Sequence, residues 1–157
     1  MAEIEIKTIV DVCHYDELEC CDRSLVDEAR KATHRSYAPY SKFSVGAAIL
    51  LDNGEIITGA NQENVAYPSG TCAERTACYY AHSQFPNAKF TAIAIAARDT
   101  SGNEVTTPIS PCGSCRQALL EYESLAKCNI RVLLVGSENI FVVKSVKSLL
   151  PLAFSEF

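Results

Sequence analysis

Apolar and polar positions change period several times along the chain, and each change marks an element. Residues 3 to 12 alternate: Glu3, Glu5 and Lys7 are set against Ile4 and Ile6, followed by Val10 and Val12, which predicts an edge strand with charge on one face. From about Asp22 the apolar residues Leu25, Ala29 and Ala32 recur at helical spacing, and this helix ends before Tyr37-Ala38-Pro39. Phe43 to Leu51 is apolar with β-branched residues, Asp52-Asn53-Gly54 is a turn, and Glu55 to Thr58 returns, so a β-hairpin is expected. Asn61 to Gly70 carries Asn, Pro and Gly and reads as a loop. A helix follows from near Cys72 to about Gln84, ahead of Pro86.

Lys89 to Ala97 is an almost unbroken apolar run, the mark of a strand covered on both faces. Arg98 to Ser110 is a polar loop delivering Pro111, which suits the start of a helix running from Cys112 to about Tyr122. Ile130 to Val135 predicts a second buried strand, Gly136-Ser137-Glu138-Asn139 a turn, Ile140 to Val143 a short strand, and Val146 to Leu150 a last helical turn before Pro151. Alternating strands and helices with buried strand runs predict an α/β fold, a three-layer α/β/α sandwich with helices on both faces of a mixed β-sheet.

Composition narrows the classes. A chain of 157 residues, 48% hydrophobic, can bury one continuous core, so residues 1 to 157 are expected to form a single domain, with 1 to 20 as an N-terminal extension. A net charge of -5 and a pI near 5.2 argue against a nucleic-acid polymer as partner. No run of about 18 apolar residues and no cleavable leader is visible, so no membrane partner and a cytoplasmic location are expected. Thiols stay reduced there, and the eight cysteines then read as thiol and metal chemistry rather than a disulfide framework.

The chemistry concentrates in Thr71-Cys72-Ala73-Glu74-Arg75-Thr76-Ala77 and Ile109-Ser110-Pro111-Cys112-Gly113-Ser114-Cys115-Arg116. If Cys72 opens one helix and Cys112 another, backbone N–H groups and the helix dipole favour both thiolates, and Cys115 faces the same side of its helix as Cys112. Zinc on three protein ligands keeps a fourth position for water and lowers the pKa of that water to roughly 7. Glu74, two residues past the first ligand, is then free to move protons. Three thiolates on a divalent ion leave excess negative charge, and Arg75, three residues after Cys72, is placed to offset it.

Blander readings exist for each feature. Cys112-Gly113-Ser114-Cys115 alone could be a redox pair, but such a pair has no use for Cys72 and Glu74. A structural zinc site in a binding module needs a fourth ligand. Cys78 is turned roughly 240° from Cys72 and His82 lies ~15 Å along the helix, whereas spacing does not exclude Cys128. Glu74 by itself would be an ordinary first-turn acid, Arg75 a surface charge, and Phe43 a core residue. His14, His34 and His82 fall at no ligand position.

Cys-Ala-Glu-Arg at 72–75 and Pro-Cys-Gly-Ser-Cys-Arg-Gln at 111–117 resemble the small homotetrameric zinc-dependent cytidine deaminases. Residues 37 to 47, Asn61-Gln62-Glu63-Asn64 and Leu149-Leu150-Pro151-Leu152-Ala153-Phe154 share the resemblance, which covers about 36 to 154. It implies a deaminase-like sandwich with the two zinc-bearing helices side by side, one Zn2+ per chain on Cys72, Cys112 and Cys115, and Glu74 as proton shuttle. It further implies that Phe43 meets the pyrimidine, Asn61 and Glu63 the ribose hydroxyls, and the backbone of Ala73 the base edge. Tyr67 is expected near the site and the subunit boundary, and Phe154 is expected to reach the base bound by a neighbouring chain of a homotetramer.

The implied reaction is hydrolysis of cytidine or 2′-deoxycytidine to uridine or 2′-deoxyuridine and ammonia. A deaminase of another cytosine nucleoside, such as a blasticidin-type antibiotic, shares the thiol pattern; Asn61-x-Glu63 and the Phe154 tail favour the ordinary nucleoside. Departures from the family are the extension through about Cys20, Ser114 where alanine is usual and Tyr122 where phenylalanine is common. Cys13, Cys20, Cys21, Cys78 and Cys128 receive no role.

Overall fold

Gly54, at φ 87°, turns the chain between β2 (Ser44–Leu51) and β3 (Ile56–Ala60), which pair antiparallel with Gly46 opposite Ala60 and Leu50 opposite Ile56. In this computed structural model, which describes residues 1–155, the hairpin forms one side of a six-stranded sheet. The other strands are β1 (Asp11–Cys13), β4 (Phe90–Arg98), β5 (Arg131–Val135) and β6 (Ile140–Val143), and the order across the sheet is β1-β6-β5-β4-β2-β3. Only β4 and β5 pair in parallel, so the sheet is mixed as expected.

This topology decides where the chemistry can sit. β2 is antiparallel to both β3 and β4, so β3 and β4 share a direction, and β5 shares it too. Two crossovers follow in succession, β3 to β4 through α2 (Ala73–Gln84) and β4 to β5 through α3 (Gly113–Ala126). Both step the same way across the sheet, and the right-handed rule therefore puts both helices on one face. Each helix begins just beyond the carboxyl end of a strand pointing the same way, so the two N-termini meet at one end of the sheet, where open α/β sheets place their ligands. α1 (Cys20–Ala32) covers the opposite face alone.

Two cores result. Ala73, Ala77, Cys78, Leu119 and Leu120 pack with Ile49, Ile93, Ile95 and Val132 under α2 and α3, while Leu25, Val26 and Ala29 pack with Ala48, Ala94 and Leu133 under α1. β4 is buried over nearly its whole length, as its apolar run predicts. Small residues let the helices lie close. A Cβ on Gly59 of β3 would stand 2.5 Å from Ala77 N and 2.6 Å from Ala73 O, so α2 is seated directly on glycine backbone.

The expected edge strand over 3 to 12 is corrected to three residues. β1 does lie at the sheet edge, but β6 offers partners only from Ile140 to Val142 before the chain leaves the sheet, and Ile4, Ile6 and Ile9 stay exposed. α1 begins two residues earlier than its apolar period suggests. α3 runs four residues beyond Tyr122 and closes on Lys127, which adopts the left-handed conformation at φ 52°. The last helical turn, Val146–Leu149, is 3-10.

Candidate active site

Cys72 and Cys112 hold the same position in their helices. Each is an N-cap with extended backbone, at φ -76°, ψ 156° and φ -65°, ψ 165°. Their thiols therefore sit where unpaired N–H groups and the dipole favour negative charge. Cys72 Sγ lies 4.0 Å from Cys112 Sγ, Cys112 Sγ lies 3.5 Å from Cys115 Sγ, and all three sulfurs fall within 4.8 Å of one another. A tetrahedron with Zn–S bonds of about 2.3 Å has S···S edges of about 3.8 Å, which these separations bracket. The donor set fits zinc with a fourth position left to a non-protein ligand: among the described residues neither Cys78 nor Cys128 joins the cluster. Cys78 is buried in the core and donates to Arg75 O at 3.6 Å, and burial pushes its thiol up to about 12.

Charge is organised around the sulfurs. A hydrogen bond from Cys115, with Arg75 beside it, brings the Cys72 thiol below its ordinary value, while donation of that bond and burial hold Cys115 above its own. Arg75 places Nη2 at 3.9 Å from Cys72 Sγ, so its expected contact with the thiolates is present. Its Nε is the one buried side-chain nitrogen or oxygen among the described residues without a hydrogen-bond partner. Glu74 is 4% exposed, and burial raises its carboxyl above the usual range.

A cleft of about 580 Å³ opens beside Cys72 and Arg75, lined also by Tyr40, Ser41, Glu63 and Tyr67. Asn61 joins this lining, whereas Phe43, Ala73 and Phe154 do not. Asn61 already has work within the chain. Its Oδ1 accepts Ser36 Oγ at 2.6 Å and Val45 N at 2.8 Å, and its Nδ2 donates to Phe43 O at 3.0 Å, which leaves one amide N–H for a ligand. Asn61 thus fixes the start of β2 and, through it, half-buried Phe43. Lys42, just before, is held left-handed at φ 56°.

Glu63 takes Tyr40 N at 2.9 Å and Ser41 N at 3.3 Å, both on Oε2. The Ser41 hydroxyl and these N–H groups hold its carboxyl below the usual range, so it stays an acceptor. Tyr67 stands 81% exposed at the rim. The Phe154 ring is 70% exposed, and its backbone oxygen accepts Gln117 Nε2 at 2.7 Å.

A family model described as the cytidine and deoxycytidylate deaminase zinc-binding region matches residues 19–130. The chain belongs to this family. The match contains the thiol triad and Glu74. A cytidine deaminase of Sporosarcina psychrophila is 43% identical over 134 residues, covering 84% of this chain and 90% of the relative. Among solved structures, the cytidine deaminase of Burkholderia pseudomallei is 36% identical with a TM-score of 0.70, covering 83% of this chain and 97% of that one. The Mycobacterium tuberculosis cytidine deaminase is 33% identical with a TM-score of 0.66, covering 85% and 96%. This deaminase family member therefore takes Zn2+ as its cofactor, with Cys72, Cys112 and Cys115 the cluster able to hold it.

Three residues the sequence reading passed over become visible. Arg116 and Gln117 bind the C-terminal tail, and Glu123 is a buried acceptor of four hydrogen bonds. Arg116 and Gln117 stand inside the quoted thiol motif, but the tail carbonyls of Leu149 and Phe154 lie more than thirty residues away, beyond any local pattern.

Proposed function

We propose that the chain catalyses hydrolytic deamination of cytidine and 2′-deoxycytidine to uridine and 2′-deoxyuridine with release of ammonia, in the cytoplasm and in the service of pyrimidine salvage. The observation that carries this is the thiol triad at two meeting helix N-termini with a buried Glu74 on the first turn.

Cys72, Cys112 and Cys115 would hold the zinc, which would supply the Lewis acidity needed for a nucleophilic water at neutral pH. Glu74 moves the protons: its carboxylate receives one as water adds to C4 and passes it to N3 of the base, then takes the second from the new C4 hydroxyl and gives it to the departing amine. Burial suits this task, because it raises the carboxyl above its usual range and so makes it a better proton acceptor than an exposed glutamate. Arg75 offsets thiolate charge that would otherwise oppose nucleophile formation. Glu63 accepts a ribose hydroxyl with its free oxygen while its Oε2 stays on the Tyr40 and Ser41 amides, and Asn61 donates its remaining N–H to the sugar. The backbone of Ala73 meets the base edge and Phe43 its face. Tyr67 lies at the subunit boundary, and Phe154 completes the site of a neighbouring chain in a homotetramer with closed symmetry.

Ammonia release measured with cytidine, 2′-deoxycytidine, CMP and adenosine tests the reaction: turnover of the two cytosine nucleosides alone is expected, and no turnover of either overturns it. The shared site is tested by mixing Glu74→Ala with Phe154→Ala under verified subunit exchange. Some sites then regain normal affinity and turnover. Exchange without recovery, or an active monomer in sedimentation, removes the shared site.

A further inference from the structure

The loop of residues 36 to 44 borders two openings. Tyr40 and Ser41 line the cleft beside Cys72, whereas Ser36, Lys42 and Ser44 line a separate pocket of about 400 Å³. The far wall of that pocket is the 3-10 turn Thr33–Arg35, which follows α1, together with Arg98, which lies opposite Ser44 in the β2–β4 register, and the turn after it. The deamination chemistry uses none of its side chains, and its size is that of an ordinary small-molecule site.

Its charge sets it apart in a chain of net charge -5. His34, Lys42 and Arg98 line it, with the hydroxyls of Ser44 and Thr100. Among the described residues the Lys42 ammonium and the His34 ring have no hydrogen bond or ion pair. Arg98 is held in place by Nε on Thr33 Oγ1 at 2.9 Å and Nη1 on Gly102 O at 3.0 Å, which leaves Nη2 for a ligand. The acids nearby are committed elsewhere. Asp99 is turned into its own loop, where Oδ1 accepts Ser101 N at 2.8 Å and Asn103 N at 3.0 Å, and Glu104, bridged to Arg98 through the backbone, bonds Arg30 at 2.7 Å. Unpaired cations and hydroxyl donors around one recess are the arrangement that holds a tetrahedral oxyanion.

We propose that this pocket is a phosphate site, taking the free ion or the phosphate group of a nucleotide, and that filling it tightens nucleoside binding in the cleft. The link is the shared loop. Lys42 and Ser44 flank Phe43, and Ser36 Oγ donates to Asn61 Oδ1 at 2.6 Å. Lys42 is also the residue held left-handed at φ 56°, a conformation unfavourable for lysine that a bond from its ammonium to a fixed anion helps to hold. An anion there orders the neighbours of Phe43 before the nucleoside arrives, so less ordering is left to oppose binding. The coupling rests on the reading above that Phe43 and Asn61 meet the nucleoside; the pocket itself does not.

The experiment is a calorimetric titration of inorganic phosphate into zinc-loaded protein, with ionic strength held constant by chloride. One site per chain with a Kd of roughly 1 mM is expected. Lys42→Gln and Arg98→Gln should each weaken it about tenfold, and Ser44→Ala about threefold. Saturating phosphate should lower the Kd of uridine about fivefold, and uridine should lower that of phosphate by the same factor. Adenosine 5′-phosphate separates the two sources: affinity no better than that of phosphate assigns the free ion, and tighter binding that is still weakened in Lys42→Gln assigns a nucleotide. No binding, or binding that survives both Lys42→Gln and Arg98→Gln, overturns the site, and competition between phosphate and uridine in that second case marks phosphate on the zinc itself. If phosphate binds as expected yet leaves the uridine Kd unchanged, the site stands and the coupling is overturned. If uridine binds under neither condition, the functional reading falls while the phosphate titration still decides the pocket. Should Arg98→Gln fail to fold, Lys42→Gln, at an exposed side chain, carries the same decision.

Discussion

Two buried glutamates on neighbouring helices have opposite surroundings. Glu74, on the first turn of α2, is 4% exposed and Glu123, toward the end of α3, is 8% exposed. Glu123 accepts Ile130 N at 2.8 Å, Val146 N at 2.8 Å, Ser145 Oγ at 2.7 Å and Lys147 N at 3.1 Å. These four bonds tie the end of α3 to the entry of β5 and to the 3-10 turn at 146–149. Glu74 has its own backbone N–H and the Cys115 thiol, with the Cys72 charge opposing ionisation, and burial outweighs them. Burial is nearly equal, so it does not distinguish the two roles. The donors do: a carboxylate saturated with N–H and O–H groups is a strut, and one left short of them can change its protonation state.

The largest effect expected from this contrast is on turnover. Glu74→Gln should lower kcat about 10³-fold while zinc per chain and urea stability stay unchanged, because the amide fills the same space but carries no proton. Turnover within tenfold of wild type would remove Glu74 from the mechanism.

Next comes the reverse case. Glu123→Ala leaves the N–H groups of Ile130 and Val146 and the Ser145 hydroxyl without their acceptor, Lys147 N keeping only Ser145 Oγ, and should cost about 3 kcal/mol, read by urea unfolding, with kcat per folded molecule preserved. A fall in kcat without a loss of stability would erase the distinction between strut and shuttle.

Arg75→Gln should follow with a drop of about tenfold in activity or zinc affinity, since it leaves the shuttle intact and the thiolate charge unopposed. A pH–rate profile identical to that of wild type would count against this role.

The smallest effect belongs to Cys78→Ala, which should keep one zinc per chain and lose about 1 kcal/mol of stability. Zinc loss in that variant would redraw the ligand set. The direction of its ionisation gives a second check. A thiol raised to about 12 by burial stays protonated through the neutral range, so alkylation of the native protein near pH 8 should mark exposed Cys20 and Cys128 and spare Cys78.

The period of apolar residues located α1 and the hairpin, the prolines at 86 and 111 bounded α2 and α3, and the positions of Cys72 and Cys112 at helix starts brought the thiols together, because caps and amphipathic stripes are local properties. What stayed hidden depends on distant partners. Glu123 lies beyond the expected end of its helix at about Tyr122 and shows no role until Ile130, Ser145 and Val146 are brought to it. Asn61 reads as a loop amide open to solvent, yet three of its bonds close on Ser36, Val45 and Phe43. The alternation at 3 to 10 is strand-like in sequence but finds no strand to pair with, since β6 is only four residues long. Lys127 ends α3 in a left-handed turn that lysine does not announce.

The seat of α2 on Gly59 bears on how the enzyme tolerates change. Ala73 O, one of the atoms a new Cβ would strike, belongs to the residue that follows Cys72. Widening that contact by a single methyl group would have to lift the start of α2 off the sheet and draw Cys72 away from the two thiols on α3. Such damage would surface as faster exchange of the metal with the medium, in a protein whose active-site residues are all still in place.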